Sequence, residues 1–266
     1  MGDLAASFSN LSPLAQGLAG SFIAGLSTGV GALPVFFLRG LGPRSQDLLL
    51  GFSAGIMLAA SFFSLIQPGL DAAAALGGAV NPALVMTAGV LLGALGLWWV
   101  HQHMPHEHLL LGREGPGDAR VGRMLLIVLA ITLHNFPEGL AVGVGFGAPD
   151  LRNALGLMTG IAIQNMPEGL VVAIALVAAG RSRAKAFTIA LLTGLVEPVG
   201  GLVGAAAVDL AGALLPWGLG TAAGAMLFVI SNEIIPETHR RGHQVSVTFA
   251  LLVGFSLMMS LDQMLG

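Results

Sequence analysis

Two glutamates stand in the same eight-residue phrase, thirty residues apart. The first copy reads Leu133-His134-Asn135-Phe136-Pro137-Glu138-Gly139-Leu140 and the second Ile163-Gln164-Asn165-Met166-Pro167-Glu168-Gly169-Leu170. Each lies inside a long apolar run, where an ionised carboxylate costs roughly 3 kcal/mol on insertion scales and needs a partner. Two such carboxylates in one setting point to a cation. On a helix, residues four apart share a face, so His134 lies beside Glu138 and Gln164 beside Glu168, each pair aiming two donor atoms at one point. Pro137 and Pro167 withdraw the amides that Leu133 and Ile163 would have received. Each helix is thereby expected to kink and to leave a carbonyl free, which is tolerable where it lines a polar site. Gly139 and Gly169 allow close helix approach. Packing accounts for the prolines and glycines equally well, but it gives no reason to bury a carboxylate twice.

Other polar groups fall at similar depth: Glu197 before Pro198, Asn232 and Glu233, and Glu237 a little further on. With no Cys in the chain there are neither disulfides nor thiolate ligands. Imidazole, carboxylate and amide oxygen suit Zn²⁺, Fe²⁺ or Mn²⁺ and admit Cd²⁺. Met57 offers a thioether, although a Met on an apolar helix ordinarily packs. His101, His103, His106 and His108, with Glu107, Glu114 and Asp118, enrich one connection in metal-ligating groups; a solvated loop explains them equally. His239 and His243, four apart, carry the same ambiguity. Asp71 and Asp262 fall near helix ends, where they either draw cations to an entrance or are simply solvated.

The elements that must position these groups are membrane helices. Of 266 residues, 55% are hydrophobic and only 9% charged, against about 25% charged in an ordinary soluble domain, and the mean hydropathy is +0.85. Repeated apolar stretches without strand-like alternation read as spanning helices, not a barrel. The 39 glycines suit helices packed backbone to backbone in lipid. A net charge of −3 implies no nucleic-acid partner, and residues 1–10 do not read as a cleavable signal peptide. Turn residues and charges mark eight spans: Pro13–Leu38, Gln46–Leu70, Pro82–His103, Val121–Phe146, Leu151–Ala179, Ala184–Val208, Ala213–Glu237 and Val245–Leu265. Arg152 alone of the eleven Lys and Arg lies on one face; the others share the opposite face, which the positive-inside rule makes cytoplasmic, with both termini outside.

The second and seventh spans share G-x-x-A-G-x-M-L, at Gly51–Leu58 and Gly220–Leu227. They run in opposite directions, as do the fourth and fifth, which carry the doubled phrase. Similar sequences in opposite directions mark an inverted repeat about an axis in the membrane plane. The expected organisation is one transmembrane domain, 1–266. A first three-helix repeat (13–103), a cytoplasmic His-containing loop (104–120), a central pair (121–179) and a second three-helix repeat (184–265) make up this 3+2+3 layout. Such symmetry suits a transporter better than an enzyme.

The doubled phrase, Glu197-Pro198, and Ile235-Pro236-Glu237-Thr238-His239 resemble the ZIP (Zrt/Irt-like) divalent-metal transporters, in particular the bacterial GufA-like branch. The likeness runs from Gln46-Asp47 to Asp262. It implies an all-α fold of eight transmembrane helices in the bacterial inner membrane. It also implies movement of Zn²⁺ and related ions into the cytoplasm by an elevator-like slide, a homodimer, and no organic cofactor. It further implies a first metal held by Met57, His134, Glu138, Gln164 and Glu168. A second would meet Asn135, Asn165 and Glu197, with Glu138 and Glu168 bridging. Asp71 and Asp262 match entrance positions and Glu233 the release path, on whose side His239 and His243 also fall. Asn165 stands where some relatives carry Asp, and Asn232 where some carry His; the charge lost at Asn165 should weaken the second site. Two alternatives are weighed: a passive divalent-metal channel, disfavoured by the repeat, and an intramembrane metalloprotease, disfavoured because no His-Glu-x-x-His occurs.

Overall fold

Helix starts are written plainly in the chain. Ser12, Asn81, Asp150 and Ser182 each accept hydrogen bonds from the first amides of the helix that follows, and Pro13, Pro43 and Pro82 open helices at positions whose amide would go unpaired. The computed structural model describes residues 8–265 except 39, 78–79, 105, 109–111 and 115–122, and at 106–108, 112–114, 123–131 and 265 it describes the backbone alone. Its long rods are α1 (Pro13–Phe36), α2 (Pro43–Ala75), α3 (Pro82–His103), α4 (Arg123–Gly147), α5 (Leu151–Ala178), α6 (Arg183–Leu210), α7 (Gly212–Thr238) and α8 (Gln244–Leu265). Among the described residues, all of these except α4 are long and apolar enough to cross a membrane by length and composition. The chain is therefore a multi-pass helical membrane protein. α4 is helical over 25 residues and carries the first copy of the phrase.

The bounds differ from the sequence reading in instructive places. α2 starts earlier than expected because Pro43 can open it, and it extends past Pro68 to Ala75. α6 is not one straight helix: it stops at Gly194 and restarts at Glu197, because Pro198 has no amide to give and its ring crowds the carbonyl four residues back. α2 and α7 each widen into a π-helical segment, at Ala60–Ile66 and Ile230–Ile234. α4 and α5, by contrast, continue as helix through Pro137 and Pro167. In the connection before α4, β1 (His106–His108) pairs antiparallel with β2 (Gly112–Glu114), Glu107 opposite Arg113. His106 and His108 lie on β1, and Asp118 lies outside the described residues.

The rods form two groups. α1 packs on α4, α5 and α6, while α2 packs on α8, α3 on α7, and α2 on α7. α3 and α8 are peripheral, with only 22% and 17% of their apolar windows buried; Leu84, Leu91, Trp99, Phe249 and Val253 face outward from them. The core mixes small residues, Ala54, Ala60, Ala141, Ala222 and Ala223 among them, with larger ones such as Leu157, Ile161 and Met226. Lacking the hydrophobic drive of water, such helices associate by close backbone packing.

Candidate metal centre

α4 and α5 present the two phrases to each other beside the break in α6. A Cβ on Gly139 would collide with the backbone of Glu197, and one on Gly169 with the backbone of Thr28. These two glycines are required by close approach, and they bring α6 against Glu138 and α1 against Glu168. Glu138, Gln164 and Glu197 are fully buried, and Asn135 and Asn165 nearly so. Glu168 is partly buried, and the His134 side chain keeps 18% of its exposure. Each of the three carboxylates lies within electrostatic reach of another: Glu138 of both Glu168 and Glu197, and Glu197 of Glu168. His134 lies near Glu168.

The amides tie this cluster together. Asn165 Nδ2 donates to Glu197 Oε1 at 2.7 Å and to the Ala24 carbonyl of α1 at 2.9 Å. Gln164 Nε2 donates to Asn165 Oδ1 at 2.6 Å, and Ser53 of α2 donates to the Gln164 carbonyl at 2.9 Å. Several buried acceptors stay without a hydrogen bond among the described residues: both oxygens of Glu138, Oε1 of Glu168, Oε2 of Glu197 and Oε1 of Gln164. Leaving a buried polar atom unpaired costs about 1–3 kcal/mol, and more for a charge. No Lys or Arg falls between residues 124 and 151, 153 and 180, or 186 and 239 to neutralise them. The cluster thus has the chemistry of a cation receptor built from hard oxygens with one imidazole. Among the described residues, no three His, Asp or Glu side chains are by themselves gathered around a point that could hold a metal, so the amide oxygens matter to any such site.

The remaining expected residues fall in different places. Met57 is buried in α2 one turn beyond Ser53, on the face that meets α5. Glu233 of α7 is buried and pairs through Oε2 with His134 Nε2, and through Oε1 with His101 Nε2 at 3.2 Å. His101 therefore belongs to the interior, not to the His-rich connection where the sequence reading placed it; His103 next along is exposed and stacks on Trp99. Asp262 accepts from Ser64 at 2.7 Å. Asp71 lines a cavity of about 520 Å³ between the ends of α2, α4, α5 and α7, together with Asp150 and Asn153.

His239 and His243 are not brought to the cluster. His239 Nδ1 meets the Ile235 carbonyl of its own helix, and His243 Nδ1 meets Asp47 Oδ2 at 2.8 Å, with Arg241 also on Asp47 at 3.5 Å. Sequence reasoning gave Asp47 no role of its own. The available signal was a lone acid in the first turns of an apolar helix, on the side where the basic residues gather.

A family model described as "ZIP Zinc transporter" matches residues 100–262. The chain is 50% identical to the zinc transporter GufA of Myxococcus xanthus, over 95% of this chain and 100% of that protein. It is 49% identical to the zinc transporter ZIPB of Bordetella bronchiseptica, over 90% of this chain and 78% of that one. Similarity extends to the zinc transporter ZIP11 of Bos taurus, at 36% identity over 96% and 98% of the two chains.

Proposed function

The chain belongs to the ZIP zinc transporter family, and from that premise we propose that it carries Zn²⁺ across the bacterial inner membrane into the cytoplasm, with Fe²⁺, Mn²⁺ and Cd²⁺ as further substrates. One observation carries the reading: three carboxylates are buried within electrostatic reach of one another, with four of their oxygens unpaired among the described residues and no Lys or Arg in 124–151, 153–180 or 186–239. In our reading a first ion meets Met57, His134, Glu138, Gln164 and Glu168. A second meets Asn135, Asn165 and Glu197, with Glu138 and Glu168 bridging. The second is weak, because Asn165 carries no charge and its Oδ1 already accepts from Gln164. All eight rods cross the membrane with both termini outside, so Asp71 and Asp262 stand at the outer entrance. His134, Glu233 and His101 then lie on the way to the cytoplasm, and His239 and His243 at its end. The homodimer rests on family likeness alone.

Alternating access in this proposal follows from a 3+2+3 inverted repeat, and several features support it. Met57 and Met226 lie in the shared motif of α2 and α7, and the π-helical segments follow at matching distances. Gly55 packs on the Leu251 backbone of α8, while its counterpart Gly224 packs on the Val90 backbone of α3. The likeness extends to α1 and α6, where Gly25-Leu26-Ser27-Thr28-Gly29-Val30-Gly31 parallels Gly194-Leu195-Val196-Glu197-Pro198-Val199-Gly200. Gly31 abuts the Met166 backbone and Gly200 the Phe136 backbone, again equivalent positions.

Against this symmetry stands one offset. Glu233 corresponds to Ser64, and His134 to Gln164. Glu233 meets His134, but Ser64 accepts from Asn153 and Gln164 is met by Ser53 instead. Allowing for side-chain reach, α5 is displaced along α2 by two to three turns, roughly 10–16 Å at 1.5 Å per residue, relative to α4 along α7. Exchanging the two registers slides α1, α4, α5 and α6 against the other four helices, which is an elevator movement. The test is uptake of radioactive Zn²⁺ by proteoliposomes containing the purified protein. Saturable uptake without single-channel current is expected; no uptake above empty liposomes, or a measurable unitary current, overturns the carrier.

A further inference from the structure

Among the described residues, the buried hydroxyls on the helices of this protein follow a rule. Ser21, Ser27, Ser61, Thr193 and Thr238 each donate back to a carbonyl three or four residues earlier, as do the less buried Thr87, Thr159, Thr188, Thr248 and Ser260. Ser53 and Ser64 instead donate across to another helix. Thr28 does neither: it is 3% exposed, and its Oγ1 makes no hydrogen bond among the described residues.

Its position makes the exception meaningful. Thr28 occupies in α1 the place that Glu197 occupies in α6, within the parallel heptapeptides. Gly139, next to Glu138, abuts the Glu197 backbone; Gly169, next to Glu168, abuts the Thr28 backbone. Thr28 therefore stands to Glu168 as Glu197 stands to Glu138. It also lies one turn beyond Ala24, whose carbonyl accepts from Asn165, so it shares the face of α1 turned toward the buried cluster. The hydroxyl projects toward the break in α6, where a Cβ at Gly194 would come within 2.7 Å of Oγ1.

We propose that the Thr28 hydroxyl is a further oxygen of the cation shell, neutral where its counterpart Glu197 is charged, binding a divalent cation or its bound water from the α1 side. This deepens the metal reading and rests on it. The asymmetry sets the cluster's charge: one end has a carboxylate and the other an alcohol, so a borderline cation that keeps a water is favoured over one needing a second carboxylate.

The experiment compares Thr28→Val and Thr28→Ala, which remove the hydroxyl, with Thr28→Ser, which keeps it. Two readouts are taken: the Zn²⁺ concentration dependence of uptake, and the Zn²⁺-induced rise in melting temperature of the detergent-purified protein. Loss of one hydrogen-bonding oxygen predicts a KM for Zn²⁺ raised about three- to tenfold in Val and Ala. Vmax stays comparable, the metal-induced melting shift shrinks, and Ser stays near wild type in both. If Val and Ala keep the wild-type KM and metal-induced shift, whatever happens to the metal-free melting temperature, Thr28 is a packing residue and the proposal is overturned. Wild-type protein that melts higher with Zn²⁺ but takes none up refutes the transport reading, while the melting comparison still decides Thr28. A wild type with no metal-induced shift refutes the inference as well.

Discussion

Replacing Glu138 by Gln separates a ligand from a structural group. The side chain is fully buried and neither carboxylate oxygen has a hydrogen bond among the described residues, while the Gln164 side chain and the charges of Glu168 and Glu197 lie close by. Gln is nearly the same size and uncharged, so in metal-free protein it removes one of three mutually repelling carboxylates and breaks no ion pair. The metal-free variant should melt no lower than wild type, since an unpaired buried polar atom already costs about 1–3 kcal/mol. With metal the sign reverses. Losing one partner of a buried charge pair costs about 3–5 kcal/mol, which is roughly 150- to 4,000-fold in affinity. Uptake of radioactive Zn²⁺ below saturation should fall at least a hundredfold in proteoliposomes matched for protein density. Uptake within tenfold of wild type would refute the site. Equally damaging would be a variant that melts well below wild type in chelator and loses transport only in proportion to folded protein, because Glu138 would then be holding the bundle together.

Asn165→Asp should lower the metal-free melting temperature, since it removes the donor to Glu197 and Ala24 and adds a like charge, yet enlarge the Zn²⁺-induced shift and raise bound metal per protein by elemental analysis. Gly139→Val, whose side chain must displace the Glu197 backbone, should cost about 1–3 kcal/mol by overpacking, seen as lower folded yield in size-exclusion profiles. Asp47→Ala leaves His243 and Arg241 without their shared partner; it should lower the melting temperature while leaving the KM for Zn²⁺ unchanged, and a raised KM would move Asp47 into the pathway. Because the chain has no Cys, a cysteine at Asn153 paired with one on α2 within disulfide reach gives a crosslink free of background thiols. Oxidation should lock α5 in its present register and stop uptake, with reductant restoring it; undiminished uptake after complete crosslinking would refute the slide.

The family, the membrane class and the helix starts were legible in the chain because they depend on local information: hydropathy over twenty residues, capping residues, and a motif that sets Glu138 and Glu168 in apolar surroundings. α3 was read to the residue, since Asn81-Pro82 opens it and the charges and turn residues after His103 close it. The break in α6 was not, although Pro198 stood in plain view, because a proline is tolerated unbroken in α4 and α5 and only packing decides which helix yields. His101 looked like the start of a His-rich connection; it became an interior partner of Glu233 because α3 lies against α7. His239 and His243, equally suggestive as a pair, were drawn to Ile235 and Asp47.

The sequence alone therefore determined which residues have the type to bind a cation in apolar surroundings, since residue type and solvation cost are properties of the chain. The tertiary structure alone decided which of them meet. It placed Glu197 and Thr28 at the matching glycines of the two phrases and used Asn165 to hold Glu197. Pairing across helices depends on register, and a slide of a few turns along smooth Gly- and Ala-rich faces leaves every local signal unchanged.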